Sequence, residues 1–193
     1  MIIVKLGGSL FGTPELSSWM QTLVNYSKQV PIVIVPGGGP FADQVRLADS
    51  HYKLSDKAAH HMALLAMKQF GLLLADIQPN AQLIETNSRV RSSFSIWLPD
   101  DSLLQQSSLD HCWSVTSDTI ALWLASKLTA KTLLLIKRAQ TDTVSIASLM
   151  QEQIIDPAFS DIFAHNKVDT KILHYKSSNN FDSFSQQPSL SLP

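Results

Sequence analysis

Three short segments hold the residues whose types and spacing could do chemistry. In Lys5-Leu6-Gly7-Gly8-Ser9, two glycines close an apolar run. Glycines at a strand end let backbone N–H groups approach an anion closely, and a helix start beyond them adds a favourable dipole. Lys5 could place an ammonium beside a phosphoryl group; the same residues also suit a tight strand-to-helix turn with a solvated lysine. In Pro36-Gly37-Gly38-Gly39-Pro40, three consecutive glycines cost backbone entropy that a sheet rarely carries without a use. A nest of N–H donors for a phosphate or carboxylate is one use, and a flexible connection is the plain alternative. The third segment runs from His111 to Asp118. Asp118, at the head of a helix, could cap it or could hold a lysine that touches phosphate, and His111 and Trp113 could line an acceptor pocket.

The inventory is also defined by what it lacks. There is no Ser-His-Asp or Cys-His pattern, and the Walker sequence is absent. Direct phosphoryl transfer needs no nucleophile on the protein, only positioning and positive charge from lysine, backbone N–H groups and Mg²⁺. Zinc is disfavoured: Cys112 has no second thiol, and the adjacent His60 and His61 cannot share a helix face.

The elements that must position these residues alternate. Ile2 to Leu6 is a short β-rich run ended by Gly7-Gly8, as in a buried parallel strand. Thr13-Pro14 starts a helix with Leu16, Trp19, Met20, Leu23 and Val24 on one face. Pro31 to Val35 is a second buried strand, followed by a helix with Phe41, Val45 and Ala48 inward. Ser55-Asp56 caps a helix that turns Ala59, Met62, Ala63, Ala66 and Met67 to the core. Gln82 to Glu85 and Ser93 to Leu98 read as short strands, Ser117-Asp118 opens another helix, and Thr132 to Ile136 is the last strong strand. Asp156-Pro157 suggests a short helix start. Strand, helix, strand with short joints means a parallel sheet with right-handed crossovers. The expected architecture is a three-layer αβα sandwich, a single domain over 1–176, with a mobile Ser-, Asn- and Gln-rich tail over 177–193.

The 193 residues suffice for one α/β domain without staples. A formal charge of −1 gives no basic field for nucleic acid. The lone cysteine and the lack of a long apolar stretch point to a cytoplasmic protein that meets no membrane.

Together the three segments resemble the amino-acid kinase superfamily, over about Met1 to Lys137. Within it the likeness is to the small aminomethylfuran phosphate kinases. The residues that carry this are Phe41-Ala42-Asp43 with Val45-Arg46, Leu54-Ser55-Asp56 with Ala59-His60, and Trp113 to Leu122, with Val168-Asp169 as a further short match. The resemblance implies an ATP-dependent enzyme that adds a phosphoryl group to an already phosphorylated aminomethylfuran in one-carbon cofactor biosynthesis. It implies Lys5 and Asp118 as the catalytic pair. Gly7, Gly8, Ser9 and Lys137 would bind the phosphates of Mg-ATP, and Gly37, Gly38, Gly39, Arg46, His111, Thr116 and Ser117 would bind the acceptor. It also implies a homo-oligomer, with the helix around Met62 to Met67 as the patch.

The chain departs from the family after its middle. Where the family has a Thr-Asp-x-Asp-Gly turn, residues Ile136 to Thr143 read Ile-Lys-Arg-Ala-Gln-Thr-Asp-Thr, and no glycine follows Gly71. Two other readings therefore stand beside the kinase: a catalytically silent kinase-fold binding or partner subunit, and a superfamily kinase for a nucleotide or amino-acid acceptor.

Overall fold

A computed structural model describes residues 1–106, 109–166 and 168–192. Six strands form one parallel sheet: β1 (Ile2–Leu6), β2 (Ile32–Pro36), β3 (Gln82–Ile84), β4 (Phe94–Trp97), β5 (Thr132–Lys137) and β6 (Asp169–His174), in the order β3-β4-β2-β1-β5-β6. The helices are α1 (Pro14–Ser27), α2 (Gly39–Tyr52), α3 (Asp56–Ile77), α4 (Asp101–Gln106), α5 (Ser117–Lys127), α6 (Ile146–Gln151) and α7 (Phe159–Ala164). The chain first moves outward from β1 through β2, then returns to place β5 on β1's other side. That reversal puts the carboxyl ends of β1, β2 and β5 at a topological switch point, where open α/β sheets take ligands.

Strand periodicity divides the core. Ile2, Val4 and Leu6 of β1, Ile32 and Ile34 of β2, and Leu134 and Ile136 of β5 share a buried cluster with Leu16, Trp19, Met20 and Leu23 of α1. Ile3, Val33, Val35, Leu133 and Leu135 point the other way, into a cluster with Ile120, Ala121 and Leu124 of α5. By the same two-residue period, Lys5 continues the Ile3 face and Lys137 the Leu135 face. Both lysines are thereby aimed towards α5.

The described residues correct three expectations. β6 is a full strand paired along β5 from Thr132↔Asp169 to Lys137↔His174. Its apolar pattern is broken by Lys171, which is buried and donates to the carbonyls of Ser185 and Gln187, so the sequence shows no continuous run there. The tail does not hang free: Ser177–Gln186 forms 3-10 turns, with Phe181 and Phe184 buried against Trp19 and Tyr26 of α1. Beyond them, Leu190 donates to Thr170 O and Ser191 pairs with Ser145, while residue 193 lies outside the described residues. Two phenylalanines among many polar residues decide the outcome, and composition averages them away. On α3, Ala66 and Met67 are buried, whereas Met62, Leu65, Leu72 and Ile77 are the large apolar side chains left exposed.

The tail is thus an integral layer of the fold. Phe181→Ala removes a ring in contact with three aromatic neighbours, and the expected loss is about 3 kcal/mol in chemical denaturation. An unchanged unfolding midpoint would show that the tail contributes nothing to stability.

Candidate functional site

The site begins with strand register. Leu6 of β1 lies opposite Pro36 of β2, so the two glycine loops leave the sheet side by side. They touch backbone to backbone: a Cβ on Gly8 would lie 2.1 Å from the Gly39 nitrogen, and one on Gly37 would lie 2.5 Å from the Gly8 nitrogen. No side chain fits at either position. Gly38 is right-handed helical (φ −81°, ψ −27°) and Gly39 left-handed (φ +54°). That succession turns consecutive N–H groups into one concavity, the geometry of an anion nest.

Three segments start around one cleft of about 500 Å³: the 3-10 turn Gly8–Leu10, α2 and α5. None of the three is capped by its own N-cap side chain, which leaves leading amides of the Gly8–Leu10 turn and of α2 for a ligand at the positive ends of those segments. The start of α5 is tied from outside by Asp156, whose carboxylate accepts from Thr116 N at 3.0 Å, Thr119 N at 2.9 Å and the Thr116 hydroxyl. Burial, and then the charge of Asp118, raise the pKa of Asp156 against those hydrogen bonds. Asp156 was missed in the sequence. The signal there was Asp156-Pro157, which reads as a helix start, and nothing local marks an aspartate that anchors a helix some forty positions earlier.

Asp118 holds the centre. Lys5 Nζ lies 2.9 Å from Oδ1, an ion pair without the alignment of a hydrogen bond, and Lys137 Nζ donates to Oδ2. The Asp118, Lys5 and Lys137 side chains are 4%, 7% and 14% exposed. Burial alone would push the Asp118 carboxyl up; Lys137 and Lys5 outweigh it and hold the pKa at about 2. Burial also lowers the Lys137 ammonium, and Asp118 pulls it back.

Most of the expected site residues meet here. Lys5, Gly7, Gly8, Ser9, Gly38, Gly39, Arg46, Thr116, Ser117 and Lys137 all line the cleft, joined by Phe11 and Asp43, which the sequence reading did not include. Two expectations are corrected. Gly37 does not line the cleft, because its N–H donates to Leu6 O at 2.8 Å and its task is the close approach to Gly8. His111 lies behind, stacked on His60 with ring centroids 5.3 Å apart. Arg46 sits on the rim, 2.7 Å from Asp43 and with its guanidinium over the Trp113 ring.

The trio makes stability depend on pH. The folded-state pKa of Asp118 lies below its ordinary value of 3.8, so its contribution is present above that value and is lost as pH falls towards 2. The depression corresponds to about 2 kcal/mol. Asp118→Asn should cost about 3 kcal/mol near neutral pH, by leaving two buried ammoniums unanswered. The gap to the parent protein should narrow by about 2 kcal/mol between pH 5 and pH 2 in denaturant titrations. A gap that stays constant over that range would show that Asp118 is not held by the lysines.

Residues 1–93 match the family model described as Amino acid kinase family. The chain is 34% identical over 134 residues to a [5-(aminomethyl)furan-3-yl]methyl phosphate kinase of Methanocaldococcus jannaschii, covering 66% of this chain and 61% of that protein. The match therefore spans less than two thirds of that relative's length. Among solved structures, uridylate kinase from Archaeoglobus fulgidus superposes with a TM-score of 0.71 at 15% identity, covering 99% of this chain and 98% of that one. UMP kinase from Ureaplasma parvum gives 0.67 at 12% identity, covering 97% and 96%. At those identities the structures establish the fold alone. The stretch that matches the family model, residues 1–93, holds Lys5 and both glycine loops.

Proposed function

We propose that this protein is an ATP-dependent phosphotransferase whose acceptor is a small phosphate ester of the aminomethylfuran phosphate type. The observation that supports it is surplus charge. Lys5 and Lys137 share the single carboxylate of Asp118, and Arg46 on the rim is answered by Asp43. Lys5, Lys137 and Arg46 thus line the cleft against one carboxylate among its lining residues, Asp43, and phosphate groups supply the opposite charge.

Each residue then has a task. The Gly38-Gly39 nest and the start of α2 bind the acceptor's phosphate, with Arg46 at the rim and Thr116 and Ser117 opposite. Gly7, Gly8 and Ser9 and the ammonium of Lys137 hold the phosphates of ATP. The terminal phosphoryl group of ATP passes to an acceptor phosphate oxygen, giving ADP and a diphosphate ester. Lys5, held by Asp118, sits where negative charge gathers during that transfer. No general base is needed, since a phosphate ester is already ionised at neutral pH. No group of three His, Cys, Asp or Glu side chains able to hold a metal occurs among the described residues, and Asp118 is committed to two ammoniums. Mg²⁺ would therefore be held by the nucleotide's own phosphates, neutralising part of their charge. No helix among the described residues is long and apolar enough to cross a membrane.

A catalytically silent binding or partner role is favoured by one feature, the stretch from Ile136 to Thr143 that lacks the family turn. The two readings separate on turnover. The protein should consume ATP with [5-(aminomethyl)furan-3-yl]methyl phosphate, and Lys5→Met should lower kcat roughly a hundredfold with a smaller effect on acceptor KM. Asp118→Asn should act in the same direction, and the double variant should be less than additive. Acceptor binding without ATP affinity or transfer in the parent protein would sink the kinase reading in favour of the silent one.

Self-association belongs to the same proposal. Leu65 and Leu72, two turns apart on α3, are 48% and 49% exposed, and Met62 adjoins them. That stripe is suited to a second copy of the chain. Sedimentation at micromolar concentration should give the mass of a dimer, reduced to a monomer by Leu65→Glu; a monomeric parent protein would refute it.

A further inference from the structure

A second chamber lies behind the main cleft and shares Gly38, Ala42, Arg46, Thr116 and Ser117 with it. Its own walls include His60, Ala63, Leu64 and Met67 of α3, together with Trp113 and Ile120. The two differ in scale: about 50 Å³ behind against about 500 Å³ in front. Since one water-sized group needs roughly 10–15 Å³ measured this way, the chamber has room for about four such groups. A single small ring fits; a nucleoside does not.

The walls are fixed rather than adaptable. The Trp113 Nε1–H donates to Asp49 Oδ2 at 2.8 Å, and Asp49's other oxygen accepts from Leu54 N at 3.1 Å. Arg46 lies 5.2 Å from the centre of the Trp113 indole. Trp113 is thus pinned to α2 on its edge and on its face. Opposite, His60 is 5% exposed and backed by the parallel ring of His111. Burial, opposed by the backbone of Cys112, lowers the His60 pKa, so its imidazole is neutral near pH 7. With the Trp113 N–H spent on Asp49, His60 is the side chain among the chamber's own walls named above that can accept a hydrogen bond, and no carboxylate is among the lining residues.

We propose that this chamber selects the acceptor: it takes one small planar ring, joined to the phosphate in the main cleft and carrying a hydrogen-bond donor towards His60, and the pinned Trp113 sets the size limit. The inference rests on the reading that the main cleft binds phosphate, and it deepens that reading by excluding nucleoside monophosphates as acceptors. The shared wall at Gly38 and Thr116 places the ring directly behind the nest.

The test is calorimetric binding of three probes: inorganic phosphate, [5-(aminomethyl)furan-3-yl]methyl phosphate, whose aminomethyl group is the donor, and uridine 5′-monophosphate. The parent protein should bind the furan ester at least tenfold more tightly than inorganic phosphate, and the uridine nucleotide no more tightly than inorganic phosphate. Ala63→Leu, which fills the chamber, should abolish the tenfold advantage of the ring while changing phosphate affinity less than twofold. Trp113→Ala should gain at least tenfold for the uridine nucleotide. Should Ala63→Leu fail to fold by circular dichroism, Trp113→Ala and the parent protein decide. A furan ester bound no better than phosphate, or a uridine nucleotide bound as well as the furan ester by the parent protein, overturns the chamber while leaving the phosphate cleft standing. No response to any probe, inorganic phosphate included, overturns the cleft and the chamber with it.

Discussion

The structure turns on one carboxylate shared by two ammoniums. Asp118 is fully enclosed, and a carboxylate taken from water costs several kcal/mol unless it is closely paired. Its partners come from two strands that are neighbours in the sheet but far apart in sequence. They meet because Lys5 and Lys137 fall on the same face by strand parity and α5 covers that face. Asp156 holds the first turn of α5 through two amides and a hydroxyl, so Asp118 cannot drift from its lysines without breaking a second buried network. A site fixed this way needs little reorganisation when charge develops in front of it, which is the condition under which an electrostatic contribution to transfer is largest.

The second constraint is steric. The glycines of both loops are needed first because the loops pass within contact of each other, and only then because amides are exposed. Gly37 belongs wholly to the steric class, since its amide is bonded to Leu6. Gly38 and Gly39 belong to both, because their opposite backbone hands make the nest. The registration of Leu6 against Pro36 makes one requirement produce the other: two loops that must touch also present their amides on one side.

The parts of this arrangement that follow local rules were legible in the sequence. The strands β1, β2 and β5 are continuous apolar runs, the glycine loops mark their ends, and Ser55 caps α3 as expected, accepting from Ala58 N. The Lys5–Asp118 pair was implied by the family resemblance, and topology plus strand parity account for it in the structure. What was not legible depends on partners remote in sequence. Asp156 reads as a helix start until its hydrogen bonds to Thr116 and Thr119 are seen. β6 hides behind Lys171, whose charge is buried because tail carbonyls receive its ammonium. His111 sits beside chemistry-bearing residues in sequence, yet its ring is turned back onto His60, and no pattern in the chain distinguishes those orientations.

The glycine-free second half shows how a compositional departure translates into structure. Helix ends commonly need a residue with positive φ, for which glycine is the low-cost choice. Here Thr129 follows α5 with φ +50° and Gln153 follows α6 with φ +57°. A β-branched threonine in that region is strained by about 1–2 kcal/mol, yet the turn forms, because the following chain is held by the Ala130 amide on Ala125 O and the Lys131 amide on Met1 O. The missing glycines therefore cost stability rather than topology. The tail's aromatic packing against α1 adds stabilising contacts in the same half of the chain. At the carboxyl ends of β5 and β6, loop residues Ala139 to Asp142 and the tail residues Ser177 and Gln187 enclose a further cleft of about 280 Å³. This edge of the sheet is built without a glycine.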